Sequence, residues 1–386
     1  MSKTPLLPWS DVLNLTRPFD RPFGSGAKAE LCMEPSCEKM WSSDALYFLM
    51  VRHGAGYLYK YQNGSSLPIV GREDRSIASF SLHGTSLVIT SSSCDSFEEL
   101  ILIEDQVERR ISGWNDHYYQ TYSWAKTEKR YFRSSTDDVD LEGWLTYPLS
   151  YQSKERYPLV HFIHGGPHAA WGPAFSFMAQ LFAAKGYFVL LTNPRGSTSY
   201  GQSFSSVIDG DWGNLDMRDI LSGLDDAEQT DSVDPQNCYL YGWSYGGYLA
   251  CWIATQSKRY RAICSGAPVV DMCSDYGTAD ITLANEWEYG ASPWSNAKHL
   301  NRHSSLHYAH LVETPLLMLH GESDLRCPIM QTELFYSALK RLEKTVVMIR
   351  YKDESHIFKK PQNLVDRYDR ILAWFDYYIA KGVTVD

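Results

Sequence analysis

Between Ala45 and Asp105 apolar and polar residues alternate in short runs: Ala45–Val51, Tyr57–Gln62, Ile77–Leu82, Thr85–Ser91 and Glu99–Glu104. Turn pairs such as Asn63-Gly64 and His83-Gly84 separate them. A period of two with this punctuation predicts strands joined by hairpins. Strands in that rhythm suit propeller blades of about 40–45 residues, or an up-and-down sheet. Residues 1–43, rich in Pro, Ser and charge, read as an extended arm or an incomplete blade.

From about Lys126 the pattern lengthens. Tyr131–Ser134 and Leu141–Tyr147 read as a hairpin. Apolar strand runs follow at Leu159–Ile163, Tyr187–Leu191, Cys238–Tyr241, Ala262–Ser265, Leu316–Leu319 and Val346–Tyr351. Between and after them, Phe177–Ala184, Asp216–Glu228, Tyr245–Thr255, Met330–Leu342 and Leu364–Tyr378 carry helical spacing. Strand–helix alternation over this length predicts a mostly parallel sheet covered by helices on both faces. The expected organisation is a β-rich segment over 1–125 and an α/β-hydrolase unit over 126–386.

Composition narrows the function. With 36 Lys+Arg against 46 Asp+Glu, a net charge of −10 and no long basic run, nucleic acid is excluded as an expected partner. The opening residues lack an apolar leader core, and no apolar run approaches the length of a membrane span, so no membrane partner is expected. The eight cysteines are scattered; Cys32 and Cys37 lack a second pair at zinc spacing. Buried thiols in a reducing cytoplasm are the expectation, with no metal or other cofactor.

The candidate chemistry lies at residues 241–248, Tyr-Gly-Trp-Ser-Tyr-Gly-Gly-Tyr. Gly242-x-Ser244-x-Gly246 falls between a predicted strand and a predicted helix, the setting of a nucleophile elbow. A serine nucleophile needs a base, and the base needs a carboxylate to orient it. Asp324 follows the strand Leu316–Leu319, and His356 follows Val346–Tyr351, in the chain order Ser–Asp–His. Both lie where open α/β sheets place their sites, beyond carboxyl strand ends. The Tyr245 N–H is one candidate oxyanion donor. His164-Gly165-Gly166-Pro167, after the strand Leu159–Ile163, offers the Gly166 N–H as the second.

These motifs, with Asn193-Pro194-Arg195-Gly196-Ser197, Asp211-Trp212-Gly213, Tyr276-Gly277-Thr278-Ala279-Asp280 and Asp324-Leu325-Arg326-Cys327-Pro328, resemble the prolyl oligopeptidase family of serine peptidases, in its acylaminoacyl-peptidase branch. The resemblance runs over residues 126–380. It implies Ser244, Asp324 and His356 as catalytic residues, Gly166 and Tyr245 as the oxyanion hole, and Arg326 as a holder of a substrate carbonyl. Two departures stand out. Asp353 occupies the place where the family has Gly before Glu-Ser-His. The family also carries a seven-bladed propeller of about 280–315 residues, whereas the segment ahead of residue 126 holds two or three blades.

The expected activity is therefore hydrolysis of acyl-peptide or short-peptide amide bonds, on a small peptide or acyl substrate. An esterase, acyl-transfer or lactone-processing enzyme is the alternative within the same chemistry. A non-catalytic binding remnant is the alternative outside it. The pocket wall is expected from Asp271–Trp287. Partial blades leave open strand edges, so a homo-oligomer that covers them, or closes the site, is expected.

Overall fold

The computed structural model describes residues 44–380, together with residue 20, residues 27–28 and residues 39–42. The reading of 1–43 therefore lies largely outside the described residues. Within them, Lys39–Trp41 (β1), Leu46–Arg52 (β2), Ala55–Gln62 (β3) and Ser65–Val70 (β4) form one antiparallel sheet. Arg75–His83 (β5), Ser86–Ser93 (β6), Ser96–Glu104 (β7) and Val107–Arg110 (β8) form a second. Each is a four-stranded meander, the form of a propeller blade. Leu49 and Leu58 of the first pack against Ile77, Leu87 and Ile89 of the second.

Beyond a short helix, α1 (Asp116–Thr121), lies an eight-stranded sheet. Its strands are β9 (Thr127–Arg133), β10 (Asp140–Thr146), β11 (Tyr157–Ile163), β12 (Phe188–Asn193), β13 (Val233–Trp243), β14 (Ala262–Gly266), β15 (Leu316–Gly321) and β16 (Val346–Tyr351). They lie in the order β9-β10-β12-β11-β13-β14-β15-β16. Only β10 runs against its neighbours, and the six strands from β12 to β16 are parallel.

The alternation of strand side chains builds two cores. Leu240 of β13 faces α3 (Leu215–Glu228), α4 (Tyr245–Gln256) and α8 (Met330–Arg341) through Ile220, Leu249, Ile253 and Phe335. Tyr239 and Tyr241, one residue to either side, face α2 (Phe177–Ala184) and α9 (Pro361–Ala380) through Phe182, Ile371 and Phe375. Helices thus cover both faces, as the strand–helix rhythm predicts. After β11 the chain adds β12 on one side and then crosses to β13 on the other. That reversal opens a crevice at the carboxyl ends of the strands, where open α/β sheets bind ligands.

The blades contact the sheet near this crevice. His53 N–H donates to Ser199 O at 3.2 Å, and Gly54 N–H donates to Ser199 Oγ at 2.9 Å. Phe97 of β7 lies 4.1 Å, centroid to centroid, from Phe175. No helix among the described residues is long and apolar enough to cross a membrane.

Candidate active site

Ser244 occupies the single residue between β13 and α4, with φ 64° and ψ −121°. A non-glycine residue adopts this region only where surrounding structure over-determines it. Here Ser244 N–H donates to Gly266 O at 2.9 Å, and Ser244 O accepts from Tyr248 N–H at 2.8 Å. Gly242 makes the turn sterically feasible, because a Cβ there would sit 2.0 Å from Gly246 O. The hydroxyl is thereby presented at the start of α4, whose N-terminal dipole favours negative charge.

His356 Nε2 lies 2.9 Å from Ser244 Oγ, and His356 Nδ1 lies 2.7 Å from Asp324 Oδ2. Asp324 is 3% exposed. Its Oδ1 accepts from the Arg326 and Cys327 N–H groups at 2.9 and 3.0 Å, while His320 Nε2 stands 3.4 Å from Oδ2. Burial opposes its charge, yet the hydrogen bonds from His320 and His356 hold the carboxyl well below the usual carboxylate range. The three residues form an unbroken relay from hydroxyl to imidazole to carboxylate. Such a relay can take the proton of an attacking serine and stabilise the imidazolium that results.

The loops carrying Asp324 and His356 are bonded to each other through Ser323 N–H to Glu354 O at 2.8 Å. Buried Glu354 accepts from the Lys359 and Lys360 N–H groups and from Asn363 Nδ2, which closes the histidine loop onto α9. Trp243 Nε1–H donates to His356 O at 3.0 Å. Asp353 has φ 60°, the left-handed region that glycine enters most readily and Asp tolerates. This accounts for the departure noted in the sequence: the aspartate adopts the turn, and the histidine keeps its place.

Gly166 follows β11 with φ 137°, and the Gly166–Pro167 peptide is cis. Gly165 and Gly166 line a cavity of about 440 Å³ together with Ser244, Tyr245, Arg326 and His356. The structure thus brings all six sequence-predicted site residues to one crevice. Tyr245 is anchored from behind. Its hydroxyl donates to buried Asp216, and its ring meets Trp212 edge-on at 4.7 Å. Arg326 Nε donates to Asp280 at 2.7 Å, so the guanidinium is held at the cavity while ion-paired.

Asp216 reaches the site only through the fold, whereas Trp243, Cys327 and Glu354 lie inside the sequence motifs but are given their contacts by the structure. Of the expected wall Asp271–Trp287, Asp275, Ile281 and Asn285 line the cavity, whereas Met272 lies in the core. Among the described residues one group has metal-ligating types, His168, Asp209 and Glu288. His168 Nε2 is 3.1 Å from Glu288 Oε1, and hydrogen bonding to Glu288 raises the imidazole above its ordinary value, as in an ion pair.

A serine on an elbow, backed by this relay at the carboxyl edge of such a sheet, defines an α/β hydrolase. Residues 173–382 match the prolyl oligopeptidase family, and the chain belongs to it. An uncharacterized peptidase of Bacillus subtilis, YuxL, is 33% identical over 88% of this chain and 53% of its own length. A dipeptidyl-peptidase 5 of Porphyromonas endodontalis is 25% identical over 87% of this chain and 50% of its own. Among solved structures, an acylaminoacyl peptidase of Pyrococcus horikoshii superposes with a TM-score of 0.85 at 27% identity, covering 95% of this chain and 57% of that one. An acylaminoacyl peptidase in complex with Z-Gly-Gly-Phe-chloromethyl ketone gives 0.82 at 29% identity, covering 88% and 55%. The chain thus spans about half the length of these relatives.

Proposed function

We propose that this chain is a serine hydrolase cleaving acyl-peptide or short-peptide amide bonds through an acyl-enzyme on Ser244. The observation that carries the reading is the continuous path from Ser244 Oγ through His356 to Asp324. In the first step His356 Nε2 takes the hydroxyl proton as Ser244 Oγ attacks the scissile carbonyl. The carbonyl oxygen, now negative, is received by the Tyr245 and Gly166 N–H groups. His356 then returns the proton to the leaving amine, and water resolves the acyl-enzyme by the same relay. Arg326, aimed by Asp280, holds a second substrate carbonyl, a task suited to its rigid fork of donors.

The reading further divides the chain into a β-rich unit over 1–125 and a catalytic unit over 126–386. Six described cysteines are free thiols, and four of them are buried, which supports a reducing, cytoplasmic setting. Family membership and the likeness to acylaminoacyl peptidases favour amides over esters. Fluorophosphonate labelling tests the nucleophile: the expected result is one adduct, lost in Ser244→Ala. Folded protein that takes no adduct would return the chain to a binding role. Turnover of acyl-alanyl anilides against p-nitrophenyl esters tests the bond type, and negligible amide turnover beside fast ester turnover would make it an esterase.

A further inference from the structure

The cavity wall beside Ser244 is largely apolar, with Trp212, Val269, Ile281 and Tyr289 contributing to it. One carboxylate interrupts it. Asp275, on α5 (Met272–Thr278), is 1% exposed and lines the same cavity. Its Oδ2 accepts from Asn285 Nδ2 and from the Tyr289 hydroxyl, each at 2.7 Å, both on α6 (Thr282–Tyr289). Its Oδ1 is fully buried with no hydrogen-bond partner among the described residues.

Three acids act on this carboxyl, Asp271, Asp324 and Asp280, and the last of them is itself paired with Arg326. No basic group is among the principal influences on Asp275. Burial first, and these acids after it, push the carboxyl up to about 7. A buried carboxyl with one oxygen unpartnered is costly, because Asn285 and Tyr289 offset its desolvation at Oδ2 only. Its place is explained by a ligand that brings the missing donor. A cation answers both the empty acceptor and the accumulated negative charge.

We infer that Asp275 determines specificity by receiving a substrate ammonium group on Oδ1. The inference deepens the hydrolase reading and rests on it for the position of the scissile bond. The ammonium belongs either to a lysine-like side chain on the acyl side of that bond or to a free α-amine.

Binding to the Ser244→Ala protein, followed by calorimetry, decides the matter without turnover. The probes are acetyl-Gly-Lys-amide against acetyl-Gly-norleucine-amide, and Gly-norleucine-amide against its acetylated form. The expected result is about tenfold tighter binding of the cationic member in one pair. The ratio should fall to near one when Asp275→Asn is added. A lysine preference identifies the side chain as the source, and a free-amine preference identifies the terminus. Equal affinities within both pairs overturn the inference, and that comparison stands even if Asp275→Asn does not fold. Fluorophosphonate labelling of the parent protein reports separately on Ser244, so the two readings fail independently.

Discussion

At the scale of single residues, two buried carboxyls near Ser244 are shifted in opposite directions. Asp324, supplied with imidazole and backbone donors, stays ionised through the working range. Asp216, at the first turn of α3, accepts from the Gly213 and Met217 N–H groups and from the Tyr245 hydroxyl. Burial nonetheless dominates, and its carboxyl is pushed up to about 6. A folded value above the unfolded one, about 3.9, gives stability that is complete below the unfolded value and is lost as pH rises through the folded one. The affected window therefore runs from roughly pH 4 to pH 6. Between pH 5 and pH 7.5 the parent protein should lose about 1 kcal/mol more stability than Asp216→Asn. Urea midpoints at the two pH values measure this. Parallel behaviour of the two proteins would mean that the three donors, not burial, control Asp216.

At the scale of elements, the elbow is a place where backbones touch. A Cβ on Gly246, at the start of α4, would lie 2.4 Å from Ile163 O and 3.0 Å from His164 O. Both acceptors are main chain at the end of β11, so no side chain can swing aside. Gly246→Ala must separate α4 from the end of β11 and the loop that carries Gly166. The expected cost is about 1–3 kcal/mol of stability, as for other overpacked sites. The same shift pulls apart the two proposed oxyanion donors, and losing one such donor costs roughly 10²–10³ in kcat. Thermal melts and kcat on one anilide substrate measure the pair. Unchanged kcat in a destabilised protein would remove Gly166 from the oxyanion role.

Elements of this kind were legible because their signals are local. The helices at Phe177–Ala184 and Met330–Arg341 and the strand Val346–Tyr351 follow directly from apolar periodicity. The outer strands of the two blades were not legible. Ser65–Val70 carries Pro68 and two serines, and Val107–Arg110 is exposed throughout, so neither shows an apolar alternation. The helices Met272–Thr278, Thr282–Tyr289 and Pro293–Arg302 also escaped, because they are short and bury few residues each. Asp275 lies on the first of them, which is why the Ser–His–Asp order could be read from the chain while the cavity's most unusual wall residue could not.

At the scale of the whole molecule, the two blades present edges that differ in how well they are blunted. The outer strand β8 carries Glu108, Arg109 and Arg110, and Glu108 is tied back to Arg75 of β5 by two short hydrogen bonds. Charge of that kind discourages pairing with another chain. The outer strand β4 is different. Leu67 and Ile69 are 64% and 42% exposed, and Pro68 between them, with a register shift that leaves Ile69 unpaired against β3, interrupts the ladder. Among the described residues nothing pairs with the far side of β4. Exposed apolar residues beside an open edge favour a second copy of the chain as its cover. We therefore expect a mass above the 44.1 kDa protomer that rises with concentration in multi-angle light scattering. Leu67→Lys combined with Ile69→Lys should return the mass to that of a monomer while the hydrolase cores stay intact, since neither side chain belongs to them. A parent protein that remains monomeric at every concentration would show that Pro68 and the irregularity at Ile69 are enough to protect the edge.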